Sequence, residues 1–103
     1  MPNEENIKKE NTENMHDAMA EIAVMSAKML VMTECENQGL DDKIEDPIAY
    51  NRVVSNLTSE YITDTVIFSR RYFNKMETSE AVMKANDKAM EIIKKNIQML
   101  MED

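Results

Sequence analysis

The chain has 103 residues, enough for one small domain, and its single Gly, two Pro, absent Trp and 43% apolar content speak for helices and against a strand-rich fold. The net charge is −8, and all of it lies in the first half: residues 1–46 carry twelve acids and four bases, while residues 47–103 carry eight of each. An acidic surface repels nucleic acid and anionic lipid, so direct binding to either is not expected, and a basic protein is the natural complement.

The N-terminus lacks an apolar stretch behind a basic start, the pattern of a secretory leader. Glu21, Lys28 and Glu34 interrupt the one long apolar run, which argues against a membrane span. A single cysteine, Cys35, cannot form an internal disulfide. These features lead us to expect a reducing, cytoplasmic setting.

Residues 1–13 (MPNEENIKKENTE) hold only Ile7 as a large apolar side chain after Met1. Such a segment cannot bury enough surface to offset its ordering entropy, so we expect a flexible acidic tail or a solvated helical extension. The folded unit is then expected over 14–103.

The first predicted helix spans Asn14 to Asn37. Within it, thirteen of the nineteen residues from Met15 to Thr33 are apolar, and five are Met. Met15, Ala18, Ile22, Met25, Met29 and Met32 recur at alternating steps of three and four and fall on one face. Val24, Ala27 and Val31 carry apolar character to the opposite side. Two neighbouring helices of a short chain cannot cover both sides, so one should remain partly in water and mark an interface, with a second copy as the simplest cover. Val24, Met25, Met29, Val31 and Met32 are the candidate interface residues. Met29 is the expected core position among them, and Val24 and Val31 the expected outward ones.

Gly39, just past the last periodic residue, predicts a left-handed helix stop. The loop LDDKIEDP follows, and Asp46-Pro47 predicts a capped helix start. The second long helix is expected from there to Lys75, with Tyr50, Val54, Leu57, Tyr61, Thr65, Phe68, Tyr72 and Met76 as its apolar stripe. The third is expected from Ser79 to Met101, with Val82, Ala85, Ala89, Ile92, Ile93, Asn96, Met99 and Leu100 inward. Thr78 or Ser79 could cap it. The segment NKMETS contains no Gly or Pro, so one continuous helix from Pro47 onward stays open as an alternative. The fold class is all-α: an antiparallel bundle of two to three long helices completed by self-association.

Several residue sets could carry chemistry. Glu13-Asn14-Met15-His16 is a Glu-x-x-His motif, the spacing that presents two ligands inward in di-iron carboxylate proteins. With one His in the chain, such a site needs a dimer, and Glu77 is the candidate further ligand. The Met cluster, with His16 and Cys35, could present soft ligands to Cu(I), although Met at helical spacing is more often plastic core or interface. Arg52 and Arg70 lie five turns apart on one face, with Asn56, Ser59 and Thr63 between them, and could hold an anionic ligand. The ordinary alternative for that stripe is a solvated helix face. Cys35 sits between Glu34 and Glu36, whose charge disfavours the reactive thiolate. Glu77 and Glu80 form one acidic pair of the kind that holds Mg²⁺ in helical nucleotide hydrolases, without a second pair to complete it. The expected function is a small acidic adaptor, inhibitor or regulator working by protein contact, with no catalysis and no cofactor. A dimeric di-metal protein and a helical sponge for a small anion are the alternatives.

Overall fold

The computed structural model describes the backbone of residues 4–103 and the side chains from Glu21 onward. It is all-α: α1 (Glu4–Gln38), α2 (Leu40–Lys43), α3 (Pro47–Tyr72) and α4 (Thr78–Glu102), with no strand among the described residues. No helix among them is long and apolar enough to cross a membrane. Of the two expectations for residues 1–13, the helical extension is the one that forms from Glu4 onward, so α1 begins ten residues before Asn14. Nothing from Glu4 to Glu13 is a Gly or Pro, and Glu, Lys and Asn tolerate a helix at little cost.

Gly39 ends α1 as the sequence predicts. Its φ is +85°, the left-handed conformation that L side chains adopt only under strain. A Cβ added there would meet Met101 Cε at an ordinary 3.9 Å, so the backbone, not crowding, selects glycine. Gly39→Val should therefore lower stability by about 1 kcal/mol or more, read by urea unfolding, while Gly39→Asn, which tolerates this conformation better, should cost less. Equal stability of all three proteins would show that the turn accepts another geometry.

The reversal at Gly39 drives Leu40 into the core, where it is fully buried, and brings the single turn of α2 against the far end of α4. There Lys43 Nζ donates to three backbone carbonyls: Leu100 O at 2.6 Å, Met101 O at 3.0 Å and Asp103 O at 3.0 Å. The last carbonyls of a helix have no intrahelical partner and carry the negative end of its dipole. One ammonium from across the fold satisfies three of them with its three donors. Lys43→Met keeps the stem and removes the charge. It should cost about 0.3–1 kcal/mol and speed amide exchange in the last turn of α4, since that is what an exposed cation at a helix C-terminus is worth. Unchanged exchange there would show that solvent replaces the clamp freely.

Asp46 caps α3 as expected: its Oδ1 accepts from the Ile48 N–H at 3.1 Å, and Pro47 follows in the first helical turn. The continuous-helix alternative is not what forms. α3 ends at Tyr72, three residues before the expected stop at Lys75, and the chain reverses through residues 73–77. The N-cap of α4 is Glu77, without a side-chain hydrogen bond, so neither Thr78 nor Ser79 takes the capping role. The reversal carries no helix-breaking residue. Closure of α4 over α3 buries both stripes, which a straight helix would leave in water.

α4 packs along α3 in the most extensive helix contact of the fold, and α1 lies against both. From α3 come Val54, Leu57 and Tyr61, as the stripe predicts, together with Thr58, which lies outside it. From α4 come Ala81, Ala85, Ala89, Ile93 and Ile97. This ridge runs at steady steps of four, one residue off the expected stripe at its two ends. Val82 and Met99, expected inward, are exposed; Ala81 replaces Val82, and Ile97 replaces Asn96, which is half-buried. Three alanines let α4 approach closely near the turn, and two isoleucines fill the wider end. From α1 come Ala27, Val31 and Cys35, again four apart.

The chain is thin for its length. Its extents are 59 × 37 × 15 Å, and its radius of gyration is 17.5 Å. A compact chain of this length would measure about 13 Å. The shortest extent is that of two helix layers. A fold this thin encloses few positions, and most of those it fully encloses are small.

Candidate functional site

α1 is apolar on two opposite sides, and the fold uses one of them. Residues two apart on a helix point about 200° apart, so Val31 and Met29 face nearly opposite ways. Val31 is 0% exposed, while Met29 is 68%, Met25 66%, Ile22 63% and Leu30 53% exposed. The assignment of Met29 to the core and Val31 to the outside is thus reversed. Val31, Ala27 and Cys35 are short and form a low ridge that lets α1 settle against α3 and α4. The long, unbranched Met side chains would hold the helices apart. Met32, at the edge of the Met face, is half-buried and packs on the core. Val24, one heptad before Val31, is 49% exposed. Beside it an apolar cleft of about 180 Å³ opens between α1 and α3, lined in part by Ala23, Ala27, Ile62 and Val66. The five candidate interface residues therefore separate: Met25 and Met29 lie on an open face, Met32 at its margin, Val31 inside the chain's own core, and Val24 half-exposed on the Val31 side of the helix.

The open face leaves apolar burial unrealised. Fully burying a Leu, Ile or Met side chain stabilises by about 1.5–3 kcal/mol, so four at half to two-thirds exposure leave roughly 4–8 kcal/mol of burial unrealised per chain. Ser26 and Thr33 lie among them, and with Met29 and Leu30 they line a shallow concavity. The Thr33 hydroxyl turns inward and donates to Met29 O at 2.8 Å, so the face presents that threonine's methyl group rather than a free donor. No charged side chain interrupts the row from Ile22 to Thr33 on this side; Glu21 and Lys28 stand at one edge.

Other candidate residues stay apart. Arg52, Asn56, Ser59, Thr63 and Arg70 are all exposed, so their shared stripe is a solvated face. Ser59 and Thr63 border a shallow hollow whose other walls are Glu60, Asp64 and Asn96. Two carboxylates make that hollow unfavourable for an anion. Arg71 lies over the Phe68 ring, 5.6 Å from its centroid, and Lys84 over Tyr72 at 5.2 Å. These cations are drawn to the aromatic end of α3, where Phe68 and Tyr72 stack at 6.4 Å. Glu13 and His16 lie outside the residues whose side chains are described, and Glu77 is exposed at the start of α4. Among the described residues no three His, Cys, Asp or Glu side chains come together as a metal-binding group.

Cys35 is fully buried, and its thiol pKa is pushed up to about 11, first by burial and then by Glu34, Glu36 and Asp41. The flanking charges are legible in the sequence, and burial, the larger cause, is not. Tyr50 lies nearby. Burial, and then the charge of a Cys35 thiolate, push its hydroxyl up to about 12, and that hydroxyl is buried without a hydrogen-bond partner. A thiol held neutral at ordinary pH is a poor nucleophile. Comparison of the chain with protein-family models, with curated proteins and with solved structures finds no match.

Proposed function

We propose that the chain is a protein-interaction module: an acidic, antiparallel three-helix bundle whose uncovered α1 face docks on another protein surface, acting as an adaptor, inhibitor or regulator in the cytoplasm rather than as a catalyst. The observation that carries this reading is the row Ile22, Met25, Met29 and Leu30. It is more than half exposed at every position and opposite the chain's own core. Soluble proteins rarely keep a contiguous apolar row in water without a use for it. Methionine suits the task because its flexible, polarizable side chain adapts to partners of different shape.

Met25→Glu with Met29→Glu tests the reading. Both positions are exposed, so the double variant should keep its helicity and its unfolding midpoint, because surface changes of this kind usually stay within about 0.5 kcal/mol each. Affinity capture from the native host, wild type against double variant, should show bound proteins that the variant loses. Partners held equally by both proteins would refute docking through α1. Where the partner is basic, association with the −8 chain should slow as salt rises, because screening removes electrostatic steering.

A further inference from the structure

The uncovered face of α1 has a finer pattern than general hydrophobicity. Ile22, Met25, Met29 and Met32 are separated by three, four and three residues, and in the sequence the same alternation begins at Met15 and Ala18. Alternating steps of three and four are the a and d positions of a heptad repeat, the seam by which one helix packs lengthwise on another. The core-facing ridge of the same helix, Ala27, Val31 and Cys35, runs at steps of four instead. α1 thus carries two different packing codes on opposite sides. The inner one is satisfied by α3 and α4, and the outer one is that of a coiled coil.

We infer that the occupant of this face is the α1 helix of a second copy of the chain, paired antiparallel about a two-fold axis between positions 23 and 24. The inference rests on the reading of α1 as a docking face. Charge decides both the partner and the direction. With Ile22 and Met29 at a, and Met25 and Met32 at d, the flanking g positions are Glu21 and Lys28, and the e positions are Ser26 and Thr33. In an antiparallel pair g faces g. With Ile22 set against the second copy's Met25, Glu21 meets the second copy's Lys28, and Lys28 meets its Glu21. In a parallel pair g faces e, and the same two charges would meet only Ser26 and Thr33. Flanking charges at e and g set partner choice and orientation in coiled coils. One acid and one base at the two g positions make this rim self-complementary, whereas a strongly basic partner would meet no net charge there.

The register follows from the same numbers. The six-position row from 15 to 32 is centred between 23 and 24, so this pairing matches every position of the row with another of its members and leaves none over. The row spans about 27 Å of helix. α3 and α4 lie on the opposite side of α1 and leave the approach open.

Charge exchange tests the pairing on the full chain. Mass is read by sedimentation equilibrium at about 50 mM salt, where screening is modest. Wild type should be dimeric at micromolar concentrations. Glu21→Lys places like charges across both contacts, as does Lys28→Glu, and each should weaken the dimer about tenfold or more. The double exchange, Glu21→Lys with Lys28→Glu, should restore it. A one-to-one mixture of the two single variants should form the heterodimer in preference to either homodimer. A wild-type dimer indifferent to both single exchanges overturns the antiparallel register. Wild type that stays monomeric at several hundred micromolar overturns self-pairing, and docking of a foreign protein on α1 then stands on the capture experiment alone. A dimer that persists in the Met25→Glu, Met29→Glu variant places the contact off α1 and removes this inference.

Discussion

Val31→Glu should unfold the chain, and Met29→Glu, two residues away, should leave it folded. Val31 has no exposed surface and lies in the cluster formed with Val54, Leu57, Ile93 and other core residues. Replacing it by glutamate forfeits the burial of valine, about 1.5–2 kcal/mol, and places a carboxylate among apolar groups. Among the described residues the one buried polar or charged side chain is Thr58, so no buried cation stands ready to pair with that carboxylate. A buried charge without a partner costs about 3–5 kcal/mol, so the sum approaches the whole stability of a small domain, which starts near 5 kcal/mol. The carboxyl could stay protonated, but that moves the cost into a raised pKa without removing it. Met29 is exposed on the opposite side, and a glutamate there meets water. Circular dichroism should show lost helicity for the first variant. For the second it should show the wild-type spectrum and unfolding midpoint. A helical, cooperatively unfolding Val31→Glu protein would mean that α1 can turn about its axis and exchange its two faces.

That contrast marks the limit of what was legible in the chain. Periodicity identifies α1 as a helix with two apolar sides, and it cannot rank them, because both rows satisfy the helical repeat. The choice is made by shape. Ala27, Val31 and Cys35 are small enough for the close approach that a fold 15 Å thick requires, and the methionines are not. The same reason explains α4, where the buried row contains three alanines and the bulkier Val82 and Met83 stay outside. Local signals with a stereochemical cause were readable in place: Gly39 for the left-handed turn, and Asp46-Pro47 for the capped start of α3. The Lys43 clamp was not, because its carbonyl partners lie 57 to 60 residues away and no local pattern announces them. The break at residues 73–77 carries no Gly or Pro and is imposed by the packing of α4 on α3.

Alkaline pH should destabilise the protein, and Cys35 with Tyr50 should be the main cause. Both groups are neutral when protonated. Both have folded pKa values above their ordinary ones: about 11 against 9.0 for Cys35, and about 12 against 10.0 for Tyr50. Between the ordinary and the folded value the unfolded chain has released a proton that the folded chain still holds. Stability must then fall as pH rises. It is intact below pH 9, declines through pH 9–11 as Cys35 acts, and continues to decline to about pH 12 through Tyr50. Two pH units for one group correspond to about 2.7 kcal/mol. The two losses do not simply add, because a charged Cys35 itself raises Tyr50, and the groups titrate as a coupled pair. Even one such loss is a large share of a small domain's stability. Urea midpoints measured from pH 8 to 11 should drop steeply for wild type. Tyr50→Phe should match or exceed wild type at pH 8, since it removes a buried hydroxyl that has no partner, and should decline less above pH 10. Cys35→Ala should start lower because of the cavity it leaves and then show the flatter profile between pH 9 and 11. A wild-type midpoint that stays level to pH 11, or a Cys35→Ala profile parallel to wild type, would place the alkaline sensitivity elsewhere and remove Cys35 from the account.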